Sequence, residues 1–278
     1  MRGLVLSGGG AKGCYQVGVL QALKEKEIKF DMVSGVSTGS LQGSMFAQGK
    51  FNKLYELWYD IKRSDIFKYK MFGYIGAFLG AKSLYNFSPL LKMLEEHIDV
   101  NNWKIPFRCG VVCLEDGKYY TITEKHDQIH KMVYASCSMP FYAEPVLING
   151  RHYVDGGVRN MTPLKEAIDF GCDEIFIVLC SPLDMVAGLN YNRCLKILER
   201  SLGIIINEIY NEDLNYGEFI NTLVIQGAVK QYRKIKFHII YPNSEIIDTL
   251  NFNQDKIRRG IERGYWDGKR ELGRSGYF

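Results

Sequence analysis

Hydrophobic positions along this chain recur at two spacings, and the places where the spacing changes mark its elements. Arg2 to Ser7 is a short, nearly continuous apolar run, the pattern of a strand covered on both faces. From Cys14 to Lys26 the apolar positions Val17, Leu20 and Leu23 fall on one helical face. A second apolar run ends near Val36, a helix continues from Leu41 to Gln48, and Phe51 to Arg63 predicts another with Leu54, Leu57, Trp58 and Ile61 on one side. Pro89, at a first helical position where its missing N–H costs nothing, opens a helix from Ser88 to about His97.

The spacing then shortens. Phe107–Leu114 and Lys118–Thr123 predict a hairpin across Glu115-Asp116-Gly117, followed by a helix from about Asp127 towards Ser136 that must stop before Pro140. Val146–Ile148 and His152–Val154 predict a second hairpin across Asn149-Gly150. A helix from Pro163 to Phe170, closed by Gly171, and a buried strand from Glu174 to Cys180 restore the βα alternation. Tyr191 to Tyr232 predicts two helices broken near Gly203 or Gly217, Lys236 to Tyr241 a last strand, and Asn253 to Leu272 a final helix. The order predicts one domain over residues 1–278, a three-layer α/β/α sandwich on a central, mostly parallel sheet. Its core is expected over about 1–180 and a largely helical extension over about 181–278.

Composition narrows the classes. With 46% apolar and 24% charged residues the chain has the make-up of a soluble globular protein, and a net charge of +4 is too mild for a dedicated nucleic-acid binder. No run of about 18 apolar residues is present, so a spanning helix is excluded and only peripheral membrane contact stays open. No secretion signal is visible after Met1, and the seven cysteines (Cys14, Cys109, Cys113, Cys137, Cys172, Cys180, Cys194) form no C-x-x-C pair. Free thiols in a reducing cytoplasm, without a structural zinc, are expected. Two stretches suit a lipid surface. Phe67 to Gly80 is aromatic and glycine-punctuated, bracketed by Lys68, Lys70 and Lys82, and is the best lid segment in the chain. The final helix carries Lys256, Arg258, Arg259, Arg263, Lys269 and Arg270, which a solvated helix face explains equally well.

The candidate chemistry begins with Gly35-Val36-Ser37-Thr38-Gly39, the G-x-S-x-G spacing of a nucleophile elbow between an apolar run and a helix. A serine on such a turn projects its hydroxyl from the sheet edge, and the flanking glycines allow the backbone to crowd there. Upstream, Gly8-Gly9-Gly10-Ala11-Lys12-Gly13 satisfies G-x-G-x-x-G between a strand and a helix, the dinucleotide fingerprint. That reading needs an acid at the end of the next strand, where Ser34-Gly35-Val36-Ser37 stands; Asp31 lies at the wrong end. The same glycine amides also suit the oxyanion of a tetrahedral acyl intermediate, and parallel neighbouring strands would bring them beside Ser37. Downstream, Asp155-Gly156-Gly157 follows the second hairpin. His238 sits inside a strand-like run, where a base serving a loop site is not expected, and Cys14 reads as a small buried side chain.

A glycine loop after strand one, a G-x-S-x-G serine after strand two and a mid-chain Asp-Gly-Gly, in that order, resemble the patatin-like phospholipase family of lipid acyl hydrolases. The resemblance covers roughly Met1 to Ile177. It implies Ser37 as nucleophile, Asp155 as its partner in a Ser-Asp dyad, and Gly8, Gly9, Gly10, Ala11, Lys12 and Gly13 as the oxyanion loop. It also implies a lipid substrate, a patatin-like fold, and no cofactor or metal. Ala135-Ser136-Cys137-Ser138-Met139-Pro140 is similar to a block of the family, with Ser138 where alanine usually stands, and Lys12 replaces the common arginine. Two readings from other classes stay open: a nucleotide-binding protein using the glycine loop, and a lipid-binding patatin fold without turnover.

Overall fold

The computed structural model describes residues 1–70, 80–183, 194–230 and 232–277. Its first half alternates β1 (Arg2–Leu6), α1 (Cys14–Glu25), β2 (Met32–Gly35), α2 (Thr38–Ala47), α3 (Phe51–Asp60) and a single turn, α4 (Arg63–Ile66). A short ribbon of β3 (Lys68–Tyr69) and β4 (Tyr85–Asn86) precedes α5 (Ser88–His97), β5 (Phe107–Cys113), β6 (Tyr119–Thr123), α6 (Ile129–Ser136), β7 (Val146–Ile148) and β8 (Arg151–Asp155). The remainder is α7 (Leu164–Asp169), β9 (Glu174–Val178), α8 (Cys194–Ile225), β10 (Lys236–Ile240) and α9 (Gln254–Arg274).

The main sheet has the order β10-β9-β1-β2-β5-β8-β7, with β6 on the other edge of β5. From β10 to β5 the neighbours run parallel. Alternate residues of the central strands feed two separate cores. Leu4, Leu6, Val33, Phe176 and Val178 pack with α1 and α2, whereas Val5, Met32, Ile175 and Ile177 pack with α7 and α8. The result is three layers, helix on sheet on helix.

Helix α9 lies against α1 at backbone contact distance. A Cβ added at Gly264 would sit 1.9 Å from the Tyr15 carbonyl oxygen, and one at Gly18 would sit 1.9 Å from that of Ile261. Gly260, Gly264 and Gly268 repeat every four residues, so one glycine stripe faces α1 along this seam. Several basic side chains of α9 turn to partners within the chain. The Arg258 guanidinium lies 4.2 Å from the Tyr59 ring centroid, Arg263 binds Ser244 and Asn243, and Lys269 pairs with Glu25. No described helix is long and apolar enough to cross a membrane.

Two sequence expectations change, and a third lies largely outside the described residues. The helix expected from Phe51 to Arg63 ends at Asp60, because Ile61 adopts an extended backbone (ψ 136°) to bury its side chain; Asp65 then accepts the Lys62 N–H at 2.8 Å and starts α4. The break expected within 191–232 is absent among the described residues, where α8 is continuous; residues 191–193 and 231 lie outside them. Gly217 is used for close approach, since a Cβ there would meet the Phe237 ring at 2.8 Å, and Gly227, at φ 70°, follows the helix end instead. Of the expected lid, residues 71–79 lie outside the described residues. Phe67 is a core residue stacked on Phe87, and Lys70 bonds to Ser83 and Glu144.

Candidate active site

Strand β5 brings the two turns of interest together. On one edge it pairs with β6 from Arg108 to Val112, so β2 and β8 must share the other. Strand β2 runs parallel to β5 and ends with Gly35 opposite Cys109; β8 runs antiparallel and ends with Asp155 opposite Val111. The two strand ends therefore meet head to head across Gly110. The turns that follow touch: a Cβ on Gly156 would lie 2.5 Å from the Gly110 carbonyl oxygen and 2.7 Å from Val36 Cγ2.

Ser37 sits on the turn into α2 with φ 55° and ψ −129°, a conformation that L-residues adopt at a cost and that persists only when neighbours hold it. Its flanking glycines are required by contact. A Cβ at Gly35 would lie 2.2 Å from the Gly39 carbonyl oxygen, and one at Gly39 would lie 2.2 Å from that of Leu6. The strained residue is held at both its amide and its carbonyl. The Ser37 N–H donates to Ser136 Oγ at 3.0 Å, while Cys137 Sγ at 3.1 Å and Ser40 Oγ at 2.7 Å donate to its carbonyl. Ser37 is half-buried.

Asp155 is fully buried. Its N–H donates to the Ser138 carbonyl at 3.0 Å, and its Oδ1 accepts the Gly157 N–H at 2.8 Å. Oδ2 is buried and has no hydrogen-bond partner among the described residues. Burial pushes this carboxyl up to about 7, against the lowering pull of the Gly157 amide and the Ser37 hydroxyl. The block from Ser136 to Ser138 thus holds the Ser37 turn and the Asp155 turn at once. The sequence signalled that block only through resemblance, without its hydrogen bonds.

The glycine loop borders Ser37. A Cβ at Gly8 would fall 3.1 Å from Ser37 Cβ, and one at Gly13 would fall 2.6 Å from Thr38 Oγ1. Three loop amides are engaged within the fold: Gly8 N–H donates to the Met161 carbonyl at 3.1 Å, Ala11 N–H to that of Thr249 at 2.8 Å, and Lys12 N–H to that of Gly9 at 3.2 Å. The Gly9 and Gly10 amides donate to no backbone or side-chain acceptor among the described residues, and both residues are half-buried. Lys12 Nζ reaches Ser181 Oγ at 3.0 Å and Glu245 Oε2 at 2.8 Å.

Other chemistry-bearing residues are placed elsewhere. His238 is buried at the opposite end of the sheet, with Nε2 2.9 Å from Glu174 and Nδ1 2.8 Å from Ser275. Asp31 accepts the Arg2 N–H at 2.6 Å, at the edge where the parallel strands begin. Cys14 is buried, and burial pushes its thiol up to about 12, so it is no thiolate at neutral pH. Two open grooves, one lined by Arg63, Phe67 and Phe252 and one by Leu57, Met93 and His97, include neither Ser37 nor Asp155.

A family model described as "Patatin-like phospholipase" matches residues 4–168. Lysophospholipase NTE1 of Candida glabrata is 32% identical over 213 residues, covering 70% of this chain and 11% of that protein. Lysophospholipase NTE1 of Eremothecium gossypii is 30% identical over 206 residues, covering 70% of this chain and 13% of that protein. The match thus spans only a small part of these relatives' length. Among solved structures, VipD from Legionella pneumophila is similar in fold, with TM-score 0.57, 15% identity, and coverage of 98% of this chain and 67% of that one.

Proposed function

The chain belongs to the patatin-like phospholipase family, and from that premise we propose that it is a serine acyl hydrolase cleaving fatty acyl esters of lipids with a Ser37–Asp155 dyad. In this reading Asp155 takes the Ser37 proton as Oγ attacks the ester carbonyl, forming a tetrahedral oxyanion. Collapse expels the alcohol, whose oxygen takes the proton back from Asp155, and leaves an acyl-Ser37 ester. Water, deprotonated in turn by Asp155, then releases the fatty acid. The observation that carries the proposal is the buried Asp155 with one unpartnered carboxylate oxygen on the turn abutting that of the strained Ser37. A carboxylate at its reference pKa of about 4 is a poor base for a hydroxyl. One pushed up to about 7 is ionised enough to act near neutral pH and basic enough to accept the proton.

The Gly9 and Gly10 amides, uncommitted among the described residues, support these two as oxyanion donors within the longer loop. The relatives' name directs the choice of substrate towards single-chain phospholipids. The dinucleotide reading loses support because Asp31, the acid nearest in sequence, binds Arg2 at the far edge.

The test is covalent labelling of Ser37 by a fluorophosphonate together with release of fatty acid from a lysophospholipid. Wild-type protein labels and Ser37→Ala does not. Wild-type protein that neither labels nor cleaves any ester would leave the non-catalytic lipid-binding reading in its place.

A further inference from the structure

Helix α8 lies wholly beyond the residues matched by the family model, yet its side chains reach back under the glycine loop. The Tyr210 side chain is buried, with its hydroxyl 2.9 Å from the Gly8 carbonyl oxygen and 2.7 Å from Ser7 Oγ. Ser7 Oγ is itself 3.2 Å from the same carbonyl and accepts the Cys180 N–H at 3.0 Å. Two hydroxyl protons therefore converge on one carbonyl: either Tyr210 donates to it directly, or Tyr210 donates to Ser7 and Ser7 donates onward. One turn further along α8, Asp213 Oδ2 accepts the N–H groups of Met161 at 3.1 Å and Thr162 at 2.8 Å, and the Met161 carbonyl accepts the Gly8 N–H. Gly8 is thus fixed at its amide and at its carbonyl from the same helix.

The consequence follows from peptide geometry. A trans peptide is planar, with C=O and N–H pointing in opposite directions. The Gly8 carbonyl and the Gly9 N–H belong to one such plane, so anchoring the carbonyl inward on Tyr210 and Ser7 turns the Gly9 N–H outward, the way its lack of a described acceptor agrees with. Glycine on both sides makes the alternative, flipped plane accessible at low conformational cost. We propose that Tyr210 is a positioning residue for acyl transfer, locking the Gly8–Gly9 peptide so that its N–H is preorganised for the oxyanion. This rests on the Ser37 hydrolase reading above.

The experiment compares wild-type protein with Tyr210→Phe, which removes only the hydroxyl, by steady-state hydrolysis of a soluble short-chain ester and by the rate of fluorophosphonate labelling. A donor mis-aimed part of the time costs less than the hundred- to thousandfold of a donor removed, so kcat and the labelling rate should fall by about 10- to 100-fold with KM within about twofold of wild type. A purely structural role would leave kcat of the folded fraction unchanged, and kcat within about twofold of wild type overturns the proposal. Should Tyr210→Phe fail to fold, Ser7→Ala removes the other hydroxyl on the same carbonyl and must lower kcat at least about threefold; an unchanged kcat there overturns it equally. Wild-type protein that neither labels nor turns over fails the hydrolase reading itself, a result separable from either variant's.

Discussion

Two acids stand at opposite edges of the same sheet and are treated in opposite ways. Glu174 opens β9 at the edge where the parallel strands begin. It is surrounded by donors: Arg2 Nε at 2.9 Å, His238 Nε2 at 2.9 Å and the Tyr277 hydroxyl. Burial alone would raise its pKa, but these hydrogen bonds and the nearby Arg2 charge outweigh burial and hold the carboxyl down at about 2. Asp155 closes β8 at the other edge, with one backbone N–H, the neighbouring Ser37 hydroxyl and an Oδ2 with no hydrogen-bond partner among the described residues, and burial pushes its carboxyl up to about 7. The saturated acid ties termini and strands together. The starved one is kept in a state that costs stability, the kind of perturbation expected of the base we propose.

The sharpest way to break this contrast is Asp155→Asn, which keeps the shape and removes the proposed base. Turnover is expected to fall by about a thousandfold or more. Stability should move the other way. Because the folded-state pKa lies above the unfolded value, the folded protein keeps a proton that the unfolded chain has lost between about pH 4 and pH 7. Wild-type stability from this group is therefore fully present below about pH 4 and declines by about 1.4 kcal/mol per pH unit up to about pH 7. Asp155→Asn does not titrate, so its melting temperature should gain on wild type across that window and stay ahead at pH 8. In the wild type, kcat/KM should rise with pH and level off above about 7 as Asp155 ionises. A rate that is flat from pH 5 to 8, or a variant that is less stable than wild type at pH 8, removes the base role.

At the saturated edge the expectation reverses. Glu174→Ala should leave kcat of the folded protein within about threefold and cost on the order of 2 kcal/mol, a figure reduced because 20% of the Glu174 side chain is exposed. The damage comes from the donors left behind, above all buried His238. The sign with pH is opposite to that of Asp155: the contribution is complete above about pH 4.5 and is lost as pH falls through about 2. Urea midpoints for wild type and variant from pH 3 to 7 measure it; midpoints that coincide at pH 7 would put Glu174 outside the fold's support.

The residues of the candidate site are easier to read from the sequence than the contacts that hold them, for physical reasons. Gly35, Ser37 and Gly39 are a local arrangement, because the crowding that demands glycine arises within five residues and against the strand end preceding the glycine loop. The position of Asp155 needed the sharing of one edge of β5 by β2 and β8, a matter of register between strand ends, at Gly35 and Asp155, about 120 residues apart, which no local pattern encodes. Tyr210 and Asp213 sit on a helix without a recognisable spacing, and apart from Ser7 Oγ their partners are backbone atoms that leave no trace in residue type. Gly217 misled in a related way: a mid-helix glycine reads as a break, yet here it admits Phe237, just as Gly264 admits the backbone of α1. Glycine told where the chain is crowded, and only the fold told by what.

The smallest expected effect bears on what the starved edge does keep. Ser136 is fully buried and offers its Oγ to the Ser37 N–H, a full-length hydrogen bond beside a carboxylate left half unpaired. Ser136→Ala removes that acceptor, so the positive φ of Ser37 loses a constraint while the fold loses little. Stability should drop by about 1 kcal/mol, the ordinary worth of one such bond. If the elbow's strain serves catalysis, kcat should fall by about 5- to 20-fold with KM nearly constant, since the serine is then correctly aimed only part of the time. Ser136→Thr, which restores a hydroxyl, should recover part of that loss. A stability change without any change in kcat would mean that the bond supports the turn and not the chemistry, and the unpaired edge would then hold a single functional group, Asp155, on a scaffold indifferent to it.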